Sequence, residues 1–160
     1  VRTRDHGDQP LRWIGRSSRR ASGRHAPVRI TENALGRHAE IEVSPSHRIL
    51  IRSATADMLF GEEEVLVPAQ HLVNDSSIRR RADGQPVLYF HLLFDRHEIV
   101  RGNGLDSESY HPGADSLDGL DAETRAEFFD LMGESWKSYQ AMSRPTLKSH
   151  ETQVLLAATL

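Results

Sequence analysis

Cysteine is absent from this 160-residue sequence, which excludes disulfides, thiolate metal sites and a cysteine nucleophile within these residues. No apolar run approaches the ~18 residues needed to cross a bilayer. The opening residues Val1-Arg2-Thr3-Arg4-Asp5-His6 also lack the apolar stretch of a signal peptide. The chain therefore reads as soluble, with no membrane span and its compartment left open. A consistent basic face is missing too. Arginines gather at 16–24 and 79–81, but acids gather at 62–64 and 115–127, and the formal net charge is −3. Both basic clusters read as solvated loops, and no nucleic-acid partner is expected. The sequence starts at Val1 and runs at once into what reads as a strand end and turn, so an upstream segment is expected to be missing.

What is present points to β-structure. Short apolar runs at 11–14, 28–30, 41–52, 64–68 and 87–100 are broken by Gly, Pro and Asn, the pattern of an antiparallel β-domain up to about residue 113. The spacing predicts a mobile polar loop over 16–25, a turn over 33–38 and an apolar turn over 58–61. It also predicts a strand closed by Pro68 and followed by one helical turn. Residues 41–52 read as one strand kinked at Pro45, and 87–100 as one long strand ended by Gly102-Asn103-Gly104. From 114 to 160 the character changes. Leu120, Phe128, Leu131 and Met132 fit a helix within 118–142, capped by Asp118 or Asp121 and broken at Gly133. The apolar run 153–160 is expected to form an edge strand or a last docking helix.

The candidate chemistry sits in two runs. Val43-Ser44-Pro45-Ser46-His47 sets a hydroxyl three residues before a histidine at a proline bend, and 87–100 carries His91, Asp95 and His97. On a straight strand, alternation would place His91, Asp95 and His97 on one face, with the histidines about 20 Å apart and Asp95 about 6.6 Å from His97. That separation cannot serve one metal ion, and no His-Glu-x-x-His or similar spacing occurs. Metal and cofactor are therefore expected to be none. A histidine suits proton transfer near neutral pH, and a nearby hydroxyl can hold a peptide. By themselves, Ser44 and His47 read as a strand-end hydroxyl and a partly buried histidine.

The ordered set of motifs resembles the Hint domains, the self-processing modules of inteins and hedgehog proteins. Val43-Ser44-Pro45-Ser46-His47-Arg48-Ile49-Leu50 is similar to their Thr-x-x-His strand, with serine for threonine. The run from Val87 to Val100, followed by Asn103-Gly104, is similar to their last block, whose histidine falls on His97; His91 lies near a position that is often acidic in inteins. Leu11-Arg12-Trp13-Ile14-Gly15, Leu66-Val67-Pro68-Ala69 and Phe94-Asp95-Arg96-His97-Glu98 resemble the bacterial branch, which fits part of a secreted bacterial protein. The likeness covers about 1–112, with 145–156 similar to the tail that follows such domains.

The resemblance implies a mainly β, Hint-type antiparallel fold over 1–113, lacking its N-terminal nucleophile segment, and a C-terminal helical extension over 114–160. It implies Ser44, His47, His91, Asp95 and His97 as catalytic, and autoproteolytic cleavage of the preceding peptide bond with the upstream polypeptide as substrate. The chain as given is then expected to be inactive. Splicing is not expected, because no asparagine follows Asn103. Two alternatives stay open: a non-catalytic β-rich interaction module using the acidic helix, and a metal-dependent hydrolase.

Overall fold

The computed structural model describes residues 1–139 and 141–159; Gln140 and Leu160, which fall in the two predicted C-terminal segments, lie outside them. In chain order the strands are β1 (Arg2–Thr3), β2 (Gly7–Asp8), β3 (Trp13–Arg20), β4 (Val28–Ile30), β5 (Ile41–Val43), β6 (Arg48–Arg52), β7 (Glu64–Pro68), β8 (Ile78–Arg80), β9 (Pro86–Leu93), β10 (Ile99–Gly102) and β11 (Leu105–Glu108). The helices are α1 (Ala54–Phe60), α2 (Ala114–Asp118), α3 (Ala122–Met132) and α4 (Ser149–Thr159). The strands form a six-stranded sheet in the order β2-β1-β10-β11-β6-β7, a three-stranded sheet β5-β4-β8 and a two-stranded ribbon β3-β9. All of these strand pairings are antiparallel. The fold is mainly antiparallel β with a few helices.

Both long predicted strands are in fact two strands in different sheets. Residues 41–52 divide into β5 and β6 around a β-turn in which the His47 N–H donates to the Ser44 carbonyl at 3.0 Å. Proline after the first turn residue is the reason, since its fixed φ favours that position and its missing N–H ends ladder pairing. Residues 87–100 divide into β9 and β10, with the chain bending over 94–98. The bend buries Phe94 and turns Asp95 out to solvent, which removes the single face that straight alternation assigned to His91, Asp95 and His97.

The first half of the loop expected over 16–25 is strand, and only 21–25 leaves the ladder, ending in the short helical turn Gly23–His25. β3 runs on to Arg20, paired residue by residue with β9 from Trp13↔Leu93 to Arg20↔Pro86. Its inner residues Trp13, Gly15 and Ser17 are buried and its alternate residues exposed. A Cβ on Gly15 would fall 2.0 Å from the Trp13 ring, so glycine is what lets the indole lie flat along its own strand. The predicted apolar turn at 58–61 is the end of α1, closed by Gly61 at φ 72, a left-handed cap that glycine adopts without cost.

Other expectations hold. Glu64–Pro68 is a strand followed by the short helical turn Ala69–Leu72. Asn103 and Gly104, at φ 53 and φ 89, make the tight turn between β10 and β11, the chemistry that Asn-Gly favours in two-residue hairpins. Asp121 caps α3 by accepting from the Thr124 N–H, and Gly133 ends it. The run from 153 is helical: α4 buries Leu155 in the core formed by Val28, Ile30, Ile49, Val65 and Val67. A second core joins Trp13, Leu93 and Tyr110 to Leu120 and Phe128, so α2 and α3 complete the inner face of the ribbon. No helix among the described residues is long and apolar enough to cross a membrane.

Candidate functional site

The turn Ser44-Pro45-Ser46-His47 is held from beneath by the helical turn after β7. The Ala69 N–H donates to the His47 carbonyl at 2.9 Å, and the Gln70 N–H to the Pro45 carbonyl at 3.0 Å. Pro45 is buried, whereas Ser44 and His47 are half-buried at the lip of the fold. A hydroxyl and an imidazole three residues apart thus become the two ends of one turn, where the backbone reverses and the ends lie within about 7 Å.

Arg48, the next residue, starts β6 and reaches Glu108 at the end of β11. Its backbone N–H donates to Glu108 Oε1 at 2.9 Å, and its Nη1 to Oε2 at 2.7 Å. That same Oε2 lies 3.2 Å from His97 Nε2. One buried carboxylate therefore ties the residue beside His47 to the second motif histidine. The other face of the His97 ring meets Ser143, whose N–H donates to Nδ1 at 3.0 Å and whose Oγ is 2.9 Å from the same nitrogen. His111 stands edge-on to His97 with ring centroids 5.3 Å apart.

His91 faces inward from the ribbon. Its Nε2 is 3.1 Å from Ser17 Oγ, and its ring lies 5.0 Å from that of Tyr110. Burial, then the nearby positive charges of His47 and Arg19, pull its pKa down to about 4. Burial also lowers the pKa of His47; Glu108 works against the shift, and Arg48 and His97 add to it. For Glu108, burial acts to raise the pKa. The His97 hydrogen bond and the charges of His47 and Arg48 outweigh it, so the carboxylate stays below its usual range. These mutual effects put His47, His91, His97 and Glu108 in one electrostatic neighbourhood, in which only Glu108 favours a proton on His47.

Asp95 is elsewhere. It makes a two-pronged pair with Arg12, Nε to Oδ1 at 2.6 Å and Nη2 to Oδ2 at 2.7 Å, on an exposed surface. Among the described residues no three His, Asp or Glu side chains are grouped to hold a metal ion. Two members of the cluster were not anticipated. Glu108 could have been found by counting out from the Asn103-Gly104 turn, because the hairpin register sets it opposite Ile99, two residues from His97. Ser143 left no signal in the sequence.

A family model described as Hint domain matches residues 1–114. The chain belongs to the Hint domain family. Searches of curated proteins and of solved structures each return no match. The antiparallel sheets are those of a Hint β-fold, and the match covers Ser44, His47, His91, His97 and Glu108 but ends before Ser143. Membership fits a domain of the autoprocessing type in general.

Proposed function

We propose that this Hint domain cleaves the peptide bond of a polypeptide upstream of Val1 by an N-terminal acyl shift, without splicing, and that His47 carries the proton. The reading rests on the bridge that Glu108 makes between the His97 ring and Arg48, next to His47. In the shift, a thiol or hydroxyl of the upstream segment attacks the carbonyl carbon before it. The C–N bond breaks as a C–S or C–O bond forms, and the nucleophile's proton ends on the amine nitrogen. A His47 kept neutral at pH 7 by burial can accept that proton, and its depressed pKa makes the resulting imidazolium a stronger acid toward the leaving nitrogen. Ser44, at the other end of the turn, would hold the peptide by a hydrogen bond. Water or another nucleophile then opens the ester or thioester.

Arg48 and His97 disfavour the charged form of this carrier, while Glu108 limits how far they do so. Asp95, bound to Arg12, has no part in this step. The test joins a reporter protein and the natural upstream segment to the domain and follows release of the reporter with and without added thiol. Release that a thiol accelerates supports the acyl shift, and an intact fusion after prolonged incubation would sink it.

A further inference from the structure

Residues 142–147, beyond the segment matched by the Hint family, lie as a strap along β7. The Leu66 N–H donates to the Pro145 carbonyl at 2.8 Å, and the Leu147 N–H to the Leu66 carbonyl at 2.9 Å, with Leu66 and Thr146 bridged in parallel. The strap is anchored on both sides. Arg144 pairs with Glu64 and Asp5, each at 2.8 Å, and Met142 packs on Leu50, Leu66 and Ile99. It covers the outer edge of the six-stranded sheet, which would otherwise present open backbone groups. Between Met142 and Arg144 it delivers Ser143 to His97.

We infer that Ser143 is a positioning residue of the processing centre, and that with Glu108 it fixes His97 as the tautomer protonated on Nε2. A backbone N–H can only donate, so the 3.0 Å contact from Ser143 makes Nδ1 of His97 an acceptor. The single proton of the neutral ring must then sit on Nε2, where the acceptor is Glu108 Oε2 at 3.2 Å. Both ring nitrogens are thereby engaged, the ring cannot flip, and the Glu108 carboxylate keeps its place on the Arg48 N–H beside His47. In contrast to His97, the His47 ring makes no hydrogen bond among the described residues and is free to exchange a proton with a bound peptide. The positioning role rests on the autoprocessing reading; the tautomer does not.

Long-range 1H–15N correlation of the full chain labelled with 15N-histidine, with His97 assigned through His97→Gln, reads the tautomer directly. Wild type should show His97 protonated on Nε2 alone, and Ser143→Ala, which keeps the backbone donor, should match it. Ser143→Pro deletes that donor and should produce a population with the proton on Nδ1, while slow exchange of the Leu66 amide reports that the strap is still docked. In the upstream-extended chain Ser143→Pro should slow cleavage about tenfold, the effect of one neutral hydrogen bond. A wild-type proton on Nδ1, a mixed tautomer in Ser143→Ala, or an unchanged His97 in Ser143→Pro with the strap docked would each overturn the inference. The first two decide the matter even where the proline variant does not fold. Wild-type cleavage rate together with a shifted tautomer would remove the positioning role alone, and an extended wild type that never cleaves would instead remove the autoprocessing reading.

Discussion

His97 Nε2 lies 3.2 Å from Glu108 Oε2 in a buried setting, across the base of the β10–β11 hairpin, and the carboxylate that receives it is already bonded to Arg48. The tight turn at Asn103-Gly104 makes this distance, because antiparallel register brings residues from the two arms of a hairpin side by side. It also explains why removing the acid should be felt at both histidine segments.

Glu108→Gln should move the titration midpoint of His47 further toward acid, since Glu108 is the group that raises it. It should also destabilise the domain by about 3 kcal/mol, the low end for breaking a buried pair because Arg48 is partly exposed. Histidine-resolved NMR titration and urea denaturation measure the two effects. An unmoved His47 midpoint would show that the carboxylate does not act on it.

In an upstream-extended chain, His47→Ala should slow ester or thioester formation about 100-fold or more, the usual scale for acid–base assistance. Ser44→Ala should cost about tenfold or less, the worth of one hydrogen bond of ~0.5–1.5 kcal/mol. Asp95→Ala should leave the rate within a factor of about two, because its carboxylate is occupied by Arg12 at the surface. Single-turnover cleavage assays rank the three. A large effect of Asp95→Ala would mean that this carboxylate reaches the centre in the extended chain.

Acid should weaken the fold through its buried histidines. The folded pKa of His91 is about 4 against an ordinary value of 6.5, and that of His47 is also lowered. As pH falls below about 6.5, the unfolded chain binds protons that the folded chain refuses. Their contribution is thus complete above about pH 6.5 and is lost between there and about pH 4. Urea denaturation at several pH values should show that slope, and His91→Gln should flatten it; an equal slope in the variant would exclude His91 as a source.

Gly15→Ala puts a methyl group 2.0 Å from the Trp13 ring. The overpacking should cost about 1–3 kcal/mol and displace the indole from Tyr110 and Phe128, which it meets at 5.8 and 5.5 Å. Denaturation and the indole NMR signals of Trp13 test this. An alanine variant of wild-type stability would mean that the ribbon yields at that point.

The outer face of the ribbon exposes Ile14 at 54%, Leu88 at 49% and Phe90 at 64%. Phe90→Ser should change stability by no more than about 0.5 kcal/mol in urea denaturation, as at other exposed sites. A clearly larger loss would mean that this face is packed against another part of the molecule.

Local chemistry in the sequence determined much of the fold. Proline and glycine marked the strand ends at Pro68 and Asn103-Gly104, and Asp121 and Gly133 bounded α3. The absence of cysteine excluded whole classes of chemistry, and Ser44 and His47 stood out through their spacing at a proline. Those features depend on φ preferences and hydrogen bonds a few residues apart, so they are legible in order along the chain. Period-two alternation could not reveal that 41–52 and 87–100 each change sheets, because a bend between two strands keeps the apolar pattern on both sides. Only tertiary structure decided which groups meet. It turned Asp95 out to Arg12, brought Glu108 under His97 and carried Ser143 across 46 residues to the same ring. Such contacts follow from how sheets and strap pack together, and packing is a property of the whole chain rather than of any stretch of it.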